Sequence, residues 1–353
     1  MLKPSVQKKE FGILPDGDIV YSCILNNGNG IEAEILTLGG ILNRLFVPDK
    51  KGAVSDVVLG RERLEQYLGE GFCTSAIIGR FANRIAGGTY EWNGTKVILE
   101  QNYGKDLLHS GSGNYASKNF AESLFTGDNF AGVRLNLWDV GEGGFPGKAE
   151  VIVLYRLFAD GRLELEYRLL PEKDTPINVT SHAYFNLAGQ ERENLQGHTL
   201  WLNADAYLPA DSTGMPTGEI RKVEGTAFDF RKKASITEGM ESEDEQMLLF
   251  HGYDHNFCLN GRGMRKAAVL SEESSGRYME VYTDMPGMQL FTTNNLPQPV
   301  SGKDGSYYFS HCAVCLETQQ YPNAVNEPDF PAAIFVGGKW YISKTVFKFG
   351  VQE

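Results

Sequence analysis

The stretch Glu150–Leu170, EVIVLYRLFADGRLELEYRLL, decides the fold class. Its second arm alternates Leu163, Leu165, Tyr167 and Leu169 with Glu164, Glu166 and Arg168. That is the two-residue period of a strand with one face buried and the other wet. Between the arms stands Asp160-Gly161, a dipeptide that accepts the positive φ angles of a tight hairpin turn. In GTYEWNGTKVILEQN, two more strand-forming arms flank Asn93-Gly94. Strand and turn patterns recur in VRLNLWDV, AAVLSEESSGRYMEVYTD and MQLFTTNNL, and no segment of a dozen residues carries a clean helical period. Only RLEQYL near Leu64 and the acidic ITEGMESEDEQML read as surface helical turns.

Composition agrees with this pattern. The 353 residues include 40 Gly, 20 Phe and 16 Tyr, a balance that favours strands joined by tight turns. No linker, low-complexity tract or repeat divides the chain. The expectation is one all-β domain over residues 1–353, a large antiparallel β-sandwich with few short helices. With 33 Lys and Arg against 45 Asp and Glu, the net charge of -12 repels phosphate backbones and anionic membranes, so neither is an expected partner. The N-terminus has no apolar targeting core, and no segment approaches the roughly 18 apolar residues of a membrane span. A cytoplasmic location is expected.

Five cysteines in such a chain make a disulfide framework a poor reading. Cys23, Cys73 and Cys258 read as small buried hydrophobes. Cys312 and Cys315 have CxxC spacing, but residues three apart on a strand face opposite sides and cannot share a metal. In CAVCLETQQYPNAVNEP the same strand places Ala313, Cys315, Glu317 and Gln319 on one face. Small residues leave room beside the Glu317 carboxylate, and partial burial would raise its pKa and make it a better base.

Five other segments carry candidates. PINVTSHAYFNLAG delivers His182 beside Tyr184 and Asn186, an imidazole suited to proton donation or else satisfied in the core. His109 follows two leucines and precedes SGSG, at a strand end. His198 and His251 read as loop residues. GRFANRIAGG gathers Arg80, Asn83 and Arg84, where an Arg either makes a structural salt bridge or grips vicinal hydroxyls. HGYDHNF reads as a turn that carries Asp254 between aromatic neighbours. The set is a metal-free group of carboxylates, histidines, amides and an Arg, fit for acid–base chemistry on a neutral, hydroxyl-rich molecule.

The series GRFANRIAGG, LHSG, PINVTSHAYFNLAG, GYDHNFCL, PGMQLFTTN and CLETQQYPNAVNEPDFP resembles, in order, the aldose 1-epimerases, with SDVVLG before it and KTVFKF after. The resemblance implies a galactose mutarotase-like supersandwich and interconversion of the α and β anomers of hexoses such as galactose and glucose. It implies Glu317 as general base and His182 as general acid. Asn83, Arg84, His109, Asp254 and Gln289 would hold the sugar, with Tyr184 lining the same site. No cofactor or metal is implied. The partner would be a free aldohexose, and the protein a monomer or a homodimer. The chain departs from the family pattern at Ser110 and Phe120, at Asn323, and at Gly337 and Lys339, none of them the acid or the base.

Three other readings compete. A glycosidase would pair Glu317 with Asp254 and leave His182 idle. A non-catalytic carbohydrate-binding protein would need no acid–base pair. A sugar-phosphate epimerase would need a basic cluster, for which only Arg80 and Arg84 stand together.

Overall fold

A computed structural model describes residues 2–69, 75–296 and 298–352. Cys73 lies outside them. Three antiparallel sheets dominate. The largest has nine strands, in the spatial order Ala121–Thr126, Phe130–Asp139, Ala149–Phe158, Arg162–Pro171, Tyr341–Val351, Arg277–Thr283, Arg265–Glu272, His198–Leu202 and Ala234–Ser235. A six-stranded sheet runs Tyr184–Phe185, Val314–Gln319, Gly287–Phe291, Asp254–Leu259, Ala204–Tyr207 and Arg221–Lys222. Five N-terminal strands, from Ser5–Ile13 to Val54–Asp56, follow one another in chain order as a meander.

One core draws on all three sheets. It holds Leu25, Ile35 and Leu45 from the meander, Val133, Val153 and Phe347 from the nine-stranded sheet, and Phe257, Leu290 and Leu316 from the six-stranded one. The antiparallel sandwich expected from the sequence is the architecture found. Helix is confined, among the described residues, to Ile236–Met240, Glu245–Phe250 and short 3-10 turns, one of them Leu64–Gln66.

The hairpins form where the turn chemistry put them. Val151 pairs with Leu169 and Leu157 with Leu163 around Gly161, whose φ is 86°. Asn93 and Gly94, at φ 51° and 72°, join the arms Thr89–Trp92 and Thr95–Ile98. Both central residues of that turn are left-handed, as a type I′ turn requires. The Leu163, Leu165, Tyr167 and Leu169 side chains are buried. The opposite face is less wet than alternation implied: Glu164 and Glu166 are also buried. Arg156 donates to both, at 2.6 and 3.1 Å, and the Lys344 ammonium lies 3.4 and 3.3 Å from them. The long cationic side chains lie across the carboxylates and exclude water from them.

Two further expectations change. His198 is a buried strand residue whose Nε2 accepts from the Leu187 N–H at 2.9 Å, so its ring is a core histidine satisfied by the backbone. Asp254, His255 and Asn256 begin the strand Asp254–Leu259 instead of forming a turn. Gly252, at φ 140°, completes the turn two residues earlier. Pairing with Gly287–Phe291 then sets the local backbone, which outweighs the turn propensity of Asp and Asn. Cys23 is buried as expected, while Cys258 is only partly buried at its strand.

Candidate active site

Strand register assembles the first half of the site. On Val314–Gln319, Glu317 lies directly opposite Gln289 of Gly287–Phe291. Gln289 in turn lies opposite Asn256, and Asp254 is two residues before Asn256 on the same face. Tyr184 pairs with Cys315 at the other edge of Glu317. Adjacent strands thus bring the four onto one face in two neighbouring rows, Glu317 beside Gln289 in one and Tyr184 and Asp254 at the ends of the other. The Gln289 amide donates to Asp254 Oδ1 at 2.7 Å.

A two-stranded pairing supplies the second half. Arg84 lies opposite Leu108, and the His109 N–H donates to the Asn83 carbonyl at 2.9 Å. The Asn83 N–H donates back to His109 Nδ1 at 3.1 Å. That bond makes Nδ1 an acceptor, so the proton of the neutral His109 ring sits on Nε2. Asn83, His109 and Ser110 all have left-handed backbones, at φ 65°, 50° and 68°. Non-glycine residues adopt that region at a cost, and such positions cluster at functional sites. Ser110 holds its turn with a hydroxyl that accepts from the Phe81 N–H at 2.7 Å and donates to the Phe81 carbonyl at 3.0 Å.

His182 joins the halves. Its ring stacks on Tyr184 at 4.8 Å and 15°, and meets His109 edge-on at 5.6 Å. Its Nε2 lies 3.6 Å from Glu317 Oε1, beyond hydrogen-bond length. His182 Nδ1, Glu317 Oε2 and Arg84 Nε are buried with no hydrogen-bond partner. Buried polar atoms are nearly always paired, so three unpaired ones around one space mark where a ligand would bind.

That space is a cavity of about 320 Å³. All eight residues singled out in the sequence line it: Asn83, Arg84, His109, His182, Tyr184, Asp254, Gln289 and Glu317. Leu108, Phe291, Asn294, Asn295 and Leu296 also line it. For Phe291 a signal existed, since it stands two residues after Gln289 and faces the same way. Leu108 and the 294–296 segment gave none. A wider groove of about 970 Å³ between Lys50, Arg192 and Glu273 has no buried unpaired polar atom among its described lining residues, and the chemistry is not there.

Burial sets the protonation of the pair. It pushes the Glu317 carboxyl well above its ordinary range, Asp254 adds to the shift, and Arg84 opposes it. Burial lowers His182 to about 4. Burial, helped by His182 and Arg84, also holds His109 well below the ordinary imidazole value. Burial thus favours the neutral forms of Glu317, His182 and His109 alike.

Arg80, the other cation of GRFANRIAGG, does not reach the cavity. It is buried with Asp139, donating from Nε at 2.8 Å, and also donates to the carbonyls of Pro146 and Gly147. Arg84 is thus the one Lys or Arg among the described lining residues. Among the described residues, no three His, Cys, Asp or Glu side chains gather in a way that could hold a metal ion. No helix among them is long and apolar enough to cross a membrane.

Comparison with known proteins gives a consistent result. The family model described as Aldose 1-epimerase matches residues 21–348. The galactose mutarotase of Bos taurus is 40% identical over 354 residues, covering 98% of this chain and 99% of that one. The galactose mutarotase of Homo sapiens is 40% identical over 350 residues, with the same coverage. The crystal structure of galactose 1-epimerase from Lactobacillus acidophilus matches all of both chains at 27% identity, with a TM-score of 0.85.

Proposed function

We propose that this chain, which belongs to the aldose 1-epimerase family, opens and recloses the hemiacetal ring of a free aldohexose with Glu317 and His182 as its proton-transfer pair. The protein is an isomerase, a mutarotase that interconverts α and β anomers. One observation carries the residue roles. Two buried groups of complementary proton affinity stand 3.6 Å apart, both line the same cavity, and each has a buried atom without a hydrogen-bond partner. The two oxygens of a hemiacetal share one carbon, so a pair this close can reach both.

From a closed ring, Glu317 takes the proton of the C1 hydroxyl while His182 gives one to the ring oxygen. The C1–O5 bond breaks and an open-chain aldehyde forms. Rotation about C1–C2 presents the other carbonyl face, and reclosure runs the two transfers backwards. The open-chain state, with the proton on Glu317 and a neutral His182, is the form that burial favours. The closed-ring state needs the proton on His182, and sugar hydroxyls together with Arg84 stabilise the carboxylate that this leaves. The pair is neutral overall in both states, but burial disfavours the separated charges of the closed-ring state, a cost that their 3.6 Å approach, Arg84 and the sugar hydroxyls offset.

Asn83, Arg84, His109, Asp254 and Gln289 hold the ring, with donors from Arg84 and His109 Nε2 and an acceptor from Asp254. The chain works as one domain over residues 1–353 and acts in the cytoplasm. Phosphate recognition is disfavoured because Arg80 is committed to Asp139, which leaves Arg84 without a second cation.

Polarimetry of freshly dissolved α-D-galactose and α-D-glucose tests the assignment. Glu317→Gln and His182→Asn should each slow the catalysed rate by at least ~10²-fold. Near-normal rates in both variants would sink the roles, and release of sugar from an aryl glycoside would favour the glycosidase reading instead.

A further inference from the structure

Gln319 shares the strand face of Glu317 but does not line the cavity, and its side chain is fully buried. Its Nε2 donates to Gln289 Oε1 at 3.3 Å and to Asn256 Oδ1 at 3.1 Å. Gln289 then donates from its own Nε2 to Asp254 Oδ1 at 2.7 Å. These four side chains form one hydrogen-bonded row across the strands Val314–Gln319, Gly287–Phe291 and Asp254–Leu259.

The direction of the row is fixed by chemistry. An ionised carboxylate only accepts, so the Gln289 NH₂ group must face Asp254 and its carbonyl oxygen must face Gln319. The Gln319 amide must therefore present its NH₂ group to Gln289, and the same NH₂ group satisfies the second oxygen, that of Asn256. The Gln319 Oε1 atom is left buried with no partner. A core chosen for stability alone would not leave that acceptor unpaired. The geometry fits a different demand, two donor hydrogens aimed at two oxygens.

We propose that Gln319 is a positioning residue, which holds the Gln289 amide in the one orientation that keeps Asp254 in place to receive a sugar hydroxyl. The proposal rests on the mutarotase reading of the site and adds a residue behind the sugar-binding wall. Without the Gln319 donors, the Gln289 oxygen is left buried with no partner and the Gln289 side chain loses its anchor on that side. The amide can then move off its place in the wall, and the sugar-binding carboxylate it holds shifts with it. Glu317 and His182 are not members of the row, so sugar binding should suffer more than proton transfer.

Gln319→Met keeps the length of the side chain and removes both donors. Initial rates by polarimetry over a range of D-galactose concentrations should show KM raised roughly tenfold, with kcat within about threefold of wild type. In a Gln289→Met background the same substitution should add no further change, because its effect passes through Gln289. Gln319→Glu preserves shape, offers acceptors in place of donors and should raise KM more than the Met variant. It carries the test should the Met variant fail to fold. Unchanged KM in the folded variant, or a multiplicative effect in the double variant, would overturn the role. Wild-type protein with no catalysed anomer exchange would instead overturn the mutarotase reading, so the two failures are distinguishable.

Discussion

Two of the acid–base pairs buried among the described residues are treated in opposite ways. Lys303 and Asp56 are tied completely: the ammonium donates to Asp56 Oδ2 at 2.7 Å and to the carbonyls of Asn43 and Val58, while Asp56 Oδ1 accepts the N–H groups of Leu45 and Val58. Glu317 and His182 are buried as deeply, yet each keeps an unpaired atom and their nearest approach is 3.6 Å. A buried charge with every hydrogen bond made fixes a structure. A buried acid and base with bonds left open are poised for a third party. Burial alone therefore does not distinguish scaffold from site; here the unfilled hydrogen bonds of two titratable groups that line one cavity do.

The contrast is sharpest at the active pair. Glu317→Gln and His182→Asn should lose at least ~10²-fold in kcat while both remain fully folded at 25 °C. A large fall in stability with activity preserved would put this pair in the same class as Lys303 and Asp56.

The mirror-image substitution is Lys303→Met. It leaves Asp56 buried without its cation, so unfolding in urea should show a loss of about 3–5 kcal/mol. Activity per folded molecule at 25 °C should remain close to wild type, since Lys303 does not line the cavity.

Acidity separates the pairs further. The folded pKa of Glu317 lies above its unfolded value, so its contribution to stability is complete below about 4.3 and is lost as pH rises through the folded value. Glu317→Gln does not titrate. Its melting temperature relative to wild type should therefore climb steadily from acid to alkaline pH, and a constant difference across that range would contradict burial as the cause of the shift. Activity should fall in acid near the His182 value of about 4, where the pair gains a second proton, and in alkali where Glu317 loses its own.

The smallest effect is expected at Tyr184→Phe. The stack on His182 at 4.8 Å is made by the ring and survives the change, so kcat/KM should fall by less than about threefold. A fall of ~10²-fold would make the Tyr184 hydroxyl part of the proton-transfer machinery.

Much of this was legible in the sequence, for reasons that differ by residue. Alternation at Leu163–Leu169 and the dipeptides at 93–94 and 160–161 gave hairpins, because period and turn chemistry are local. The eight cavity residues were legible as a series of motifs, and the Glu317 face could be read from its strand. Glu164 and Glu166 looked solvated because their burial depends on cations from Arg156 and Lys344, on other strands. Asp254 looked like a turn residue because its strand exists only through pairing with Gly287–Phe291. His198 looked like a loop residue because its ring partner, the Leu187 N–H, arrives from a different element. What the sequence hid was contact between segments far apart in the chain.

The left-handed backbone at Asn83, His109 and Ser110 has a consequence for how this protein can change over generations. At those three positions, φ between 50° and 68° favours glycine, yet no side chain there is idle. Asn83 and His109 face the cavity, and Ser110 bonds to Phe81. Replacing any of them with glycine would ease the backbone and loosen this wall of the cavity. A drift toward conformational comfort would thus cost the cavity its shape, so, on the proposed role of this wall, selection on the loop pulls against the relaxation that unselected mutation would bring.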